Sequence, residues 1–174
     1  MKMKMNLLNW SGIVLLVLII SWDQSPKFAY ADLIEDTCNK TSYAKLCVSV
    51  LRSSPRSATA DVKGLVQIAV EYLQAYVKDT LALSEKLFKE EKNPSVKGGL
   101  RLCVDQYALG LHRVGDTINF LNSGDYRNAH DIVLTVADDA STCNDAGTGT
   151  LLKDRNSQVT NSTRLAMEMI QILG

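Results

Sequence analysis

Between Asp61 and Glu91 the residues Val62, Leu65, Ala69, Leu73, Tyr76, Thr80, Leu83 and Leu87 follow one another at gaps of three and four. That spacing returns each side chain to one face of an α-helix, and an unbroken stripe of this length fits no strand. A neighbouring stripe of Val66, Val70, Val77, Leu81 and Phe88 widens the face. The segment holds one glycine, Gly64, near its start and no proline, and Asn93-Pro94 ends it. A helix of this kind owes most of its stability to burial of its apolar face against other elements. The rest of the fold therefore has to supply partners for it.

Three further helical patterns follow. A second long helix is predicted from about Ser95, where Gly98-Gly99 weakens its first turn, with Leu100, Cys103, Tyr107, Leu111, Val114, Ile118 and Leu121 as its stripe. Asn122-Ser123-Gly124 reads as its C-cap and turn. A third is predicted from about Asp125 to Ser141, with Tyr126, Ala129, Val133, Val136 and Ala140 inward and Cys143 just beyond its end. The polar stretch from Asn144 to Gln158 reads as a connection. A fourth helix is predicted from about Val159 to Leu173, with Leu165, Ala166, Met169, Ile170 and Leu173 apolar. No stretch alternates at period two, so the fold class is all-α, an up-down-up-down four-helix bundle. Ahead of it, Leu33–Asn39 and Tyr43–Leu51 read as two short helical pieces forming an N-terminal hairpin.

Residues 1–31 read as a signal peptide and 32–174 as one domain. Lys2 and Lys4 supply a positive start, Ile13 to Ile20 an apolar core, and Ala29-Tyr30-Ala31 the small residues of a cleavage site. The apolar core is far shorter than the roughly 20 residues that span a bilayer. The expectation is a secreted protein with no membrane association after cleavage. Nineteen Lys and Arg balance nineteen Asp and Glu, which gives no electrostatic reason to expect a nucleic-acid partner.

All four cysteines, Cys38, Cys47, Cys103 and Cys143, lie beyond the leader. An even number in a secreted chain reads as two disulfides, for which three connectivities exist. Cys38 and Cys47 are close enough for a local bridge, which leaves Cys103 with Cys143. If the second and third bundle helices are antiparallel, those two thiols meet at one end of the bundle. The wide spacing of the cysteines, and of His112 from His130, does not suit a zinc site. Asn39-Lys40-Thr41 and Asn161-Ser162-Thr163 are glycosylation acceptors.

No pattern for catalysis stands out. There is no G-x-S-x-G elbow, P-loop, dinucleotide fingerprint or H-E-x-x-H. Asp138-Asp139 and Glu90-Glu91 are adjacent pairs whose side chains diverge by about 100° on a helix, and both read as solvated surface. The expectation is a non-enzyme without cofactor or metal. A disulfide-stapled bundle of this kind is suited to binding. It either presents a helical surface to another protein or carries a small apolar ligand in its core.

Several short motifs add to this reading. They are the C-x8-C of Cys38 and Cys47, the segment Arg56-Ser57-Ala58-Thr59-Ala60-Asp61, and Cys103-x3-Tyr107. Gly124-Asp125-Tyr126-x2-Ala129 and Ala140-x2-Cys143 complete the set. In this order behind a leader, they resemble the plant invertase and pectin methylesterase inhibitor family, including its pollen-allergen type of invertase inhibitor. The resemblance covers nearly all of Asp32 to Gly174. It implies a four-helix bundle with an N-terminal hairpin, disulfides in first-second and third-fourth order, and residence in the apoplast or cell wall. It also implies inhibition through a 1:1 complex with pectin methylesterase or with cell-wall or vacuolar invertase. Invertase-inhibiting relatives carry Pro-Lys-Phe in the turn after the second long helix. The matching positions here are Tyr126-Arg127-Asn128, and the Pro26-Lys27-Phe28 of the leader cannot stand in for it. Gly-Asp-Tyr-x-x-Ala and Thr142-Cys143-x-Asp145 favour the pectin methylesterase branch. Tyr126, Arg127, Asn128 and His130 are the expected target contacts. A member without inhibitory activity, kept as a storage protein or allergen, is the remaining alternative.

Overall fold

A computed structural model describes the backbone of residues 27–174 and the side chains from Leu33 onward. The leader expected over residues 1–31 lies almost wholly outside the described residues. The helices are α1 (Lys27–Cys38), α2 (Ala44–Ser53), α3 (Val62–Glu90), α4 (Pro94–Ser123), α5 (Tyr126–Asn144) and α6 (Lys153–Gln171), with a 3-10 turn at Pro55–Thr59. No strand occurs among the described residues.

The helix ends follow from local chemistry. Asp61 caps α3 by accepting the Gly64 N–H at 2.8 Å. Asn93 caps α4 by accepting from the Ser95 and Val96 N–H groups at 3.0 and 3.4 Å, and Pro94 opens that helix at a position that needs no donor. Gly124, at φ 79°, closes α4 in a Schellman motif. Its own N–H donates to Leu121 and the Asp125 N–H donates to Phe120. Asp125 then caps α5 by accepting from the Asn128 N–H at 3.1 Å.

α3 to α6 form the up-down-up-down bundle. α3 packs on α4 and α6, and α5 packs on α4 and α6. α4 and α5 run antiparallel: Cys103 is bridged to Cys143, Gly110 faces Val136 and Asp139, and Arg113 reaches the Thr135 carbonyl. The interior is filled by Leu65, Leu73, Leu100, Tyr107, Val114, Leu121, Leu165, Met169 and Ile170, all fully buried or nearly so. The α1–α2 hairpin is closed by the Cys38–Cys47 bridge, with Cα atoms 5.5 Å apart. It lies against α3 and α6; at α6, Cys47 Sγ is 3.9 Å from Met169 Sδ and the Ser42 N–H donates to Glu168 at 2.6 Å.

Three expectations need correction. α5 continues through Asn144, so Cys143 lies inside the helix. It extends the stripe of Val133, Val136 and Ala140, and all four are buried. α6 begins at Lys153, six residues before the predicted start. Its inward stripe opens with Leu152, Asn156 and Val159, and the buried Asn156 interrupts the apolar pattern that a sequence reading relies on. Asp139 is not solvated surface: it is 2% exposed, whereas Asp138 is exposed as expected.

Candidate docking site

The turn from Gly124 into α5 gathers the four expected contact residues. Arg127 and Asn128 are exposed, and Tyr126 and His130 are half-buried. Asn128 is held by its side-chain amide, which donates to Asp125 at 2.6 Å. The Lys63 ammonium lies 6.0 Å from the centre of the Tyr126 ring, and the chain end at Gly174 packs on the same ring. His130 Nδ1 is 3.1 Å from Asp131. Tyr126, Arg127 and His130 line a groove of about 300 Å³ together with Ile170, Gln171 and Gly174. Asn128 stands beside this groove rather than in its lining.

Outside the groove, α4 and α5 also carry exposed leucines. Leu102 and Leu109 on α4 and Leu134 on α5 are 38%, 44% and 42% exposed. Between α4 and α5 lies a polar pair that the sequence reading missed. Arg113 forms a short ion pair with Asp139 Oδ1 and also donates to the Thr135 carbonyl at 3.5 Å. Asp139 Oδ2 has no partner. Burial raises the Asp139 pKa, Arg113 opposes that shift, and Asp138 adds to it. The signal for this pair was Gly110: a Cβ there would meet Asp139 Oδ2 at 3.2 Å and Val136 and Val77 at 3.7 Å. A glycine inside a strong helical stripe marks such close approach.

Tyr107, fully buried below, meets the Asn156 amide at 2.5 Å. The amide orientation that satisfies its surroundings donates to Tyr107 Oη and the Leu152 carbonyl and accepts from the Asn144 N–H. This one side chain thereby joins α4, the end of α5 and the start of α6. Burial, and secondarily the Asp139 charge, raise the Tyr107 pKa, so the phenol stays neutral.

Both expected disulfides are formed, Cys38–Cys47 and Cys103–Cys143. Asn39 is exposed in the hairpin turn, and Asn161 is half-buried on α6. Among the described residues, no three His, Cys, Asp or Glu side chains gather as a metal site, and no helix is long and apolar enough to cross a membrane.

Comparison with known proteins places this geometry. The family model described as "Plant invertase/pectin methylesterase inhibitor" matches residues 32–172. The chain belongs to that family. A pectinesterase inhibitor from Actinidia deliciosa is 35% identical over 140 residues, covering 79% of this chain and 76% of the relative. A cell wall / vacuolar inhibitor of fructosidase from Arabidopsis thaliana is 36% identical over 120 residues, covering 68% and 67%. The crystal structure of an Arabidopsis thaliana pectin methylesterase inhibitor superposes with a TM-score of 0.63 at 21% identity, over 81% of this chain and 95% of that one. This last likeness establishes the all-α fold. The family is one of enzyme inhibitors, and both of its named branches are represented among the relatives.

Proposed function

We propose that this protein is a secreted, non-catalytic inhibitor that binds a plant pectin methylesterase one to one in the cell wall. The observation that carries the reading is the longer match to the pectinesterase inhibitor, joined to Tyr126-Arg127-Asn128 standing where the invertase branch has Pro-Lys-Phe. Invertase inhibition is the second reading, favoured by the fructosidase-inhibitor relative at similar identity. The filled bundle interior supports a protein-binding role over that of a carrier of small apolar ligands. The family match starts at residue 32, next to Ala31, which supports removal of residues 1–31 as a leader.

Titrating refolded residues 32–174 against a pectin methylesterase and against a cell-wall invertase, each at two pH values, tests the reading. The expected outcome is loss of pectin methylesterase activity with a break at one equivalent. Inhibition of invertase alone reverses the choice of branch. Inhibition of neither, across a panel of isoforms, leaves the fold without this function.

A further inference from the structure

A second groove, of about 440 Å³, runs between α5 and α6 on the same side of the bundle as the Tyr126 groove, at the opposite end of that seam. Asn161 lines it together with Asp138, Ser141, Lys153, Ser157 and Arg164. The lining is dense in hydroxyl, amide and charged groups, the chemistry that holds a sugar.

Asn161 heads the Asn161-Ser162-Thr163 acceptor, and the threonine of that tripeptide is anomalous. Thr163 is fully buried, and its Oγ1 has no hydrogen-bond partner. A buried unpaired hydroxyl weakens a fold, and valine would fill the same volume without one. The Thr163 hydroxyl therefore has no evident use in the folded protein. It does have one earlier, because the glycosylating enzyme requires Ser or Thr two residues after the asparagine while the chain is still unfolded. The other acceptor shows the contrast. Thr41 Oγ1 donates to the Cys38 carbonyl at 2.8 Å, so the hairpin turn itself explains that threonine. The Ser162 hydroxyl is also buried and unpartnered, but the acceptor pattern does not require it, which makes Ser162 a control.

We propose that Asn161 carries an N-linked glycan whose first sugars lie in the α5–α6 groove. The inference rests on the secretory leader of the proposed function and on no particular target enzyme. A glycan here covers the end of the α5–α6 seam remote from the Tyr126 turn and leaves the α4–α5 side open to a partner protein.

The test expresses the full chain in a secretory plant host. It reads the N-terminus of the product and maps the tryptic peptide Asn156–Arg164 before and after enzymatic deglycosylation in 18O water. The expected product starts at Asp32 and carries glycan on Asn161. Thr163→Val and Asn161→Gln abolish that glycan, and Ser162→Ala keeps it. Thr163→Val is at least as heat-stable as enzymatically deglycosylated wild type. Amide exchange over Lys153–Arg164 is slower in the glycosylated form. A secreted chain starting at Asp32 with Asn161 bare overturns the glycan while leaving the leader standing. A retained chain with its leader uncut overturns both. Lower stability of Thr163→Val shows that the hydroxyl serves the fold and removes the argument for the site. Unchanged amide exchange takes the sugar out of the groove.

Discussion

At the scale of single residues, the Arg113–Asp139 pair shows what a periodicity reading misses. A polar residue on a helix reads as surface unless its neighbours give reason otherwise, and Asp139 lies next to an Asp138 that is surface. The carboxylate is buried, one oxygen is unpartnered, and only Arg113 offsets its burial. Removing one partner of a buried pair costs about 3–5 kcal/mol, because the other charge is left uncompensated. Arg113→Ala is therefore expected to lower stability by roughly that amount at neutral pH, at the upper end if water does not reach Asp139. The sign of the pH dependence follows from the raised pKa of Asp139. A carboxyl whose folded pKa lies above its unfolded value favours the folded state at low pH and loses that contribution as pH rises through the folded value. Without Arg113 the pKa rises further, so the deficit shrinks on acidification. Adding Asp139→Asn removes the charge and recovers much of the loss at neutral pH. Urea denaturation of the three variants at pH 4.5 and 7 measures this, and a deficit that is equal at both pH values refutes it.

At the scale of elements, α3 and α4 were legible almost to the residue. Their stripes are long and their boundaries carry strong local chemistry in Asp61, Asn93-Pro94 and Gly124. The ends of α5 and α6 were not, because inward positions there are taken by Cys143 and Asn156 rather than by aliphatic side chains. The double glycine of α4 was read only as a weak first turn, and the structure separates its members. Gly98 has nothing within 4 Å of where a Cβ would stand. A Cβ on Gly99 would overlap the backbone carbonyl of Ala146, in the segment just past α5, near the Cys103–Cys143 bridge. Gly98→Ala should therefore stabilise by about 0.8–1 kcal/mol, the helix-propensity difference. Gly99→Ala should destabilise by about 1–3 kcal/mol, as overpacking does, despite the same gain in propensity. Thermal denaturation of the two variants side by side is the measurement. Opposite signs support the close approach, and two stabilising outcomes contradict it.

At the scale of the whole molecule, the bundle narrows where a partner enzyme can dock. The hairpin covers part of α6 through the Cys47–Met169 and Ser42–Glu168 contacts. The end of the α5–α6 seam remote from the Tyr126 turn holds the polar groove assigned to the glycan. A one-to-one complex of standard size buries about 800 Å² on each partner, more than the Tyr126 groove offers alone. Leu134, one helical turn beyond His130 on α5, continues the rim of that groove and is exposed. Apolar side chains near the centre of an interface hold most of its affinity, and rim charges act on the association rate. Leu134→Glu is thus expected to weaken inhibition by about tenfold or more, equivalent to about 1.4 kcal/mol. Its melting temperature should barely change, because exposed substitutions usually stay within about 0.5 kcal/mol. Arg127→Glu should act chiefly on the association rate and in a salt-dependent way. Lys153→Glu, in the polar groove, should leave inhibition unchanged. Binding kinetics at two salt concentrations separate these cases. If Lys153→Glu weakens binding while Leu134→Glu does not, the partner sits over the far end of the α5–α6 seam, and the docking site and the glycan position both have to be reassigned.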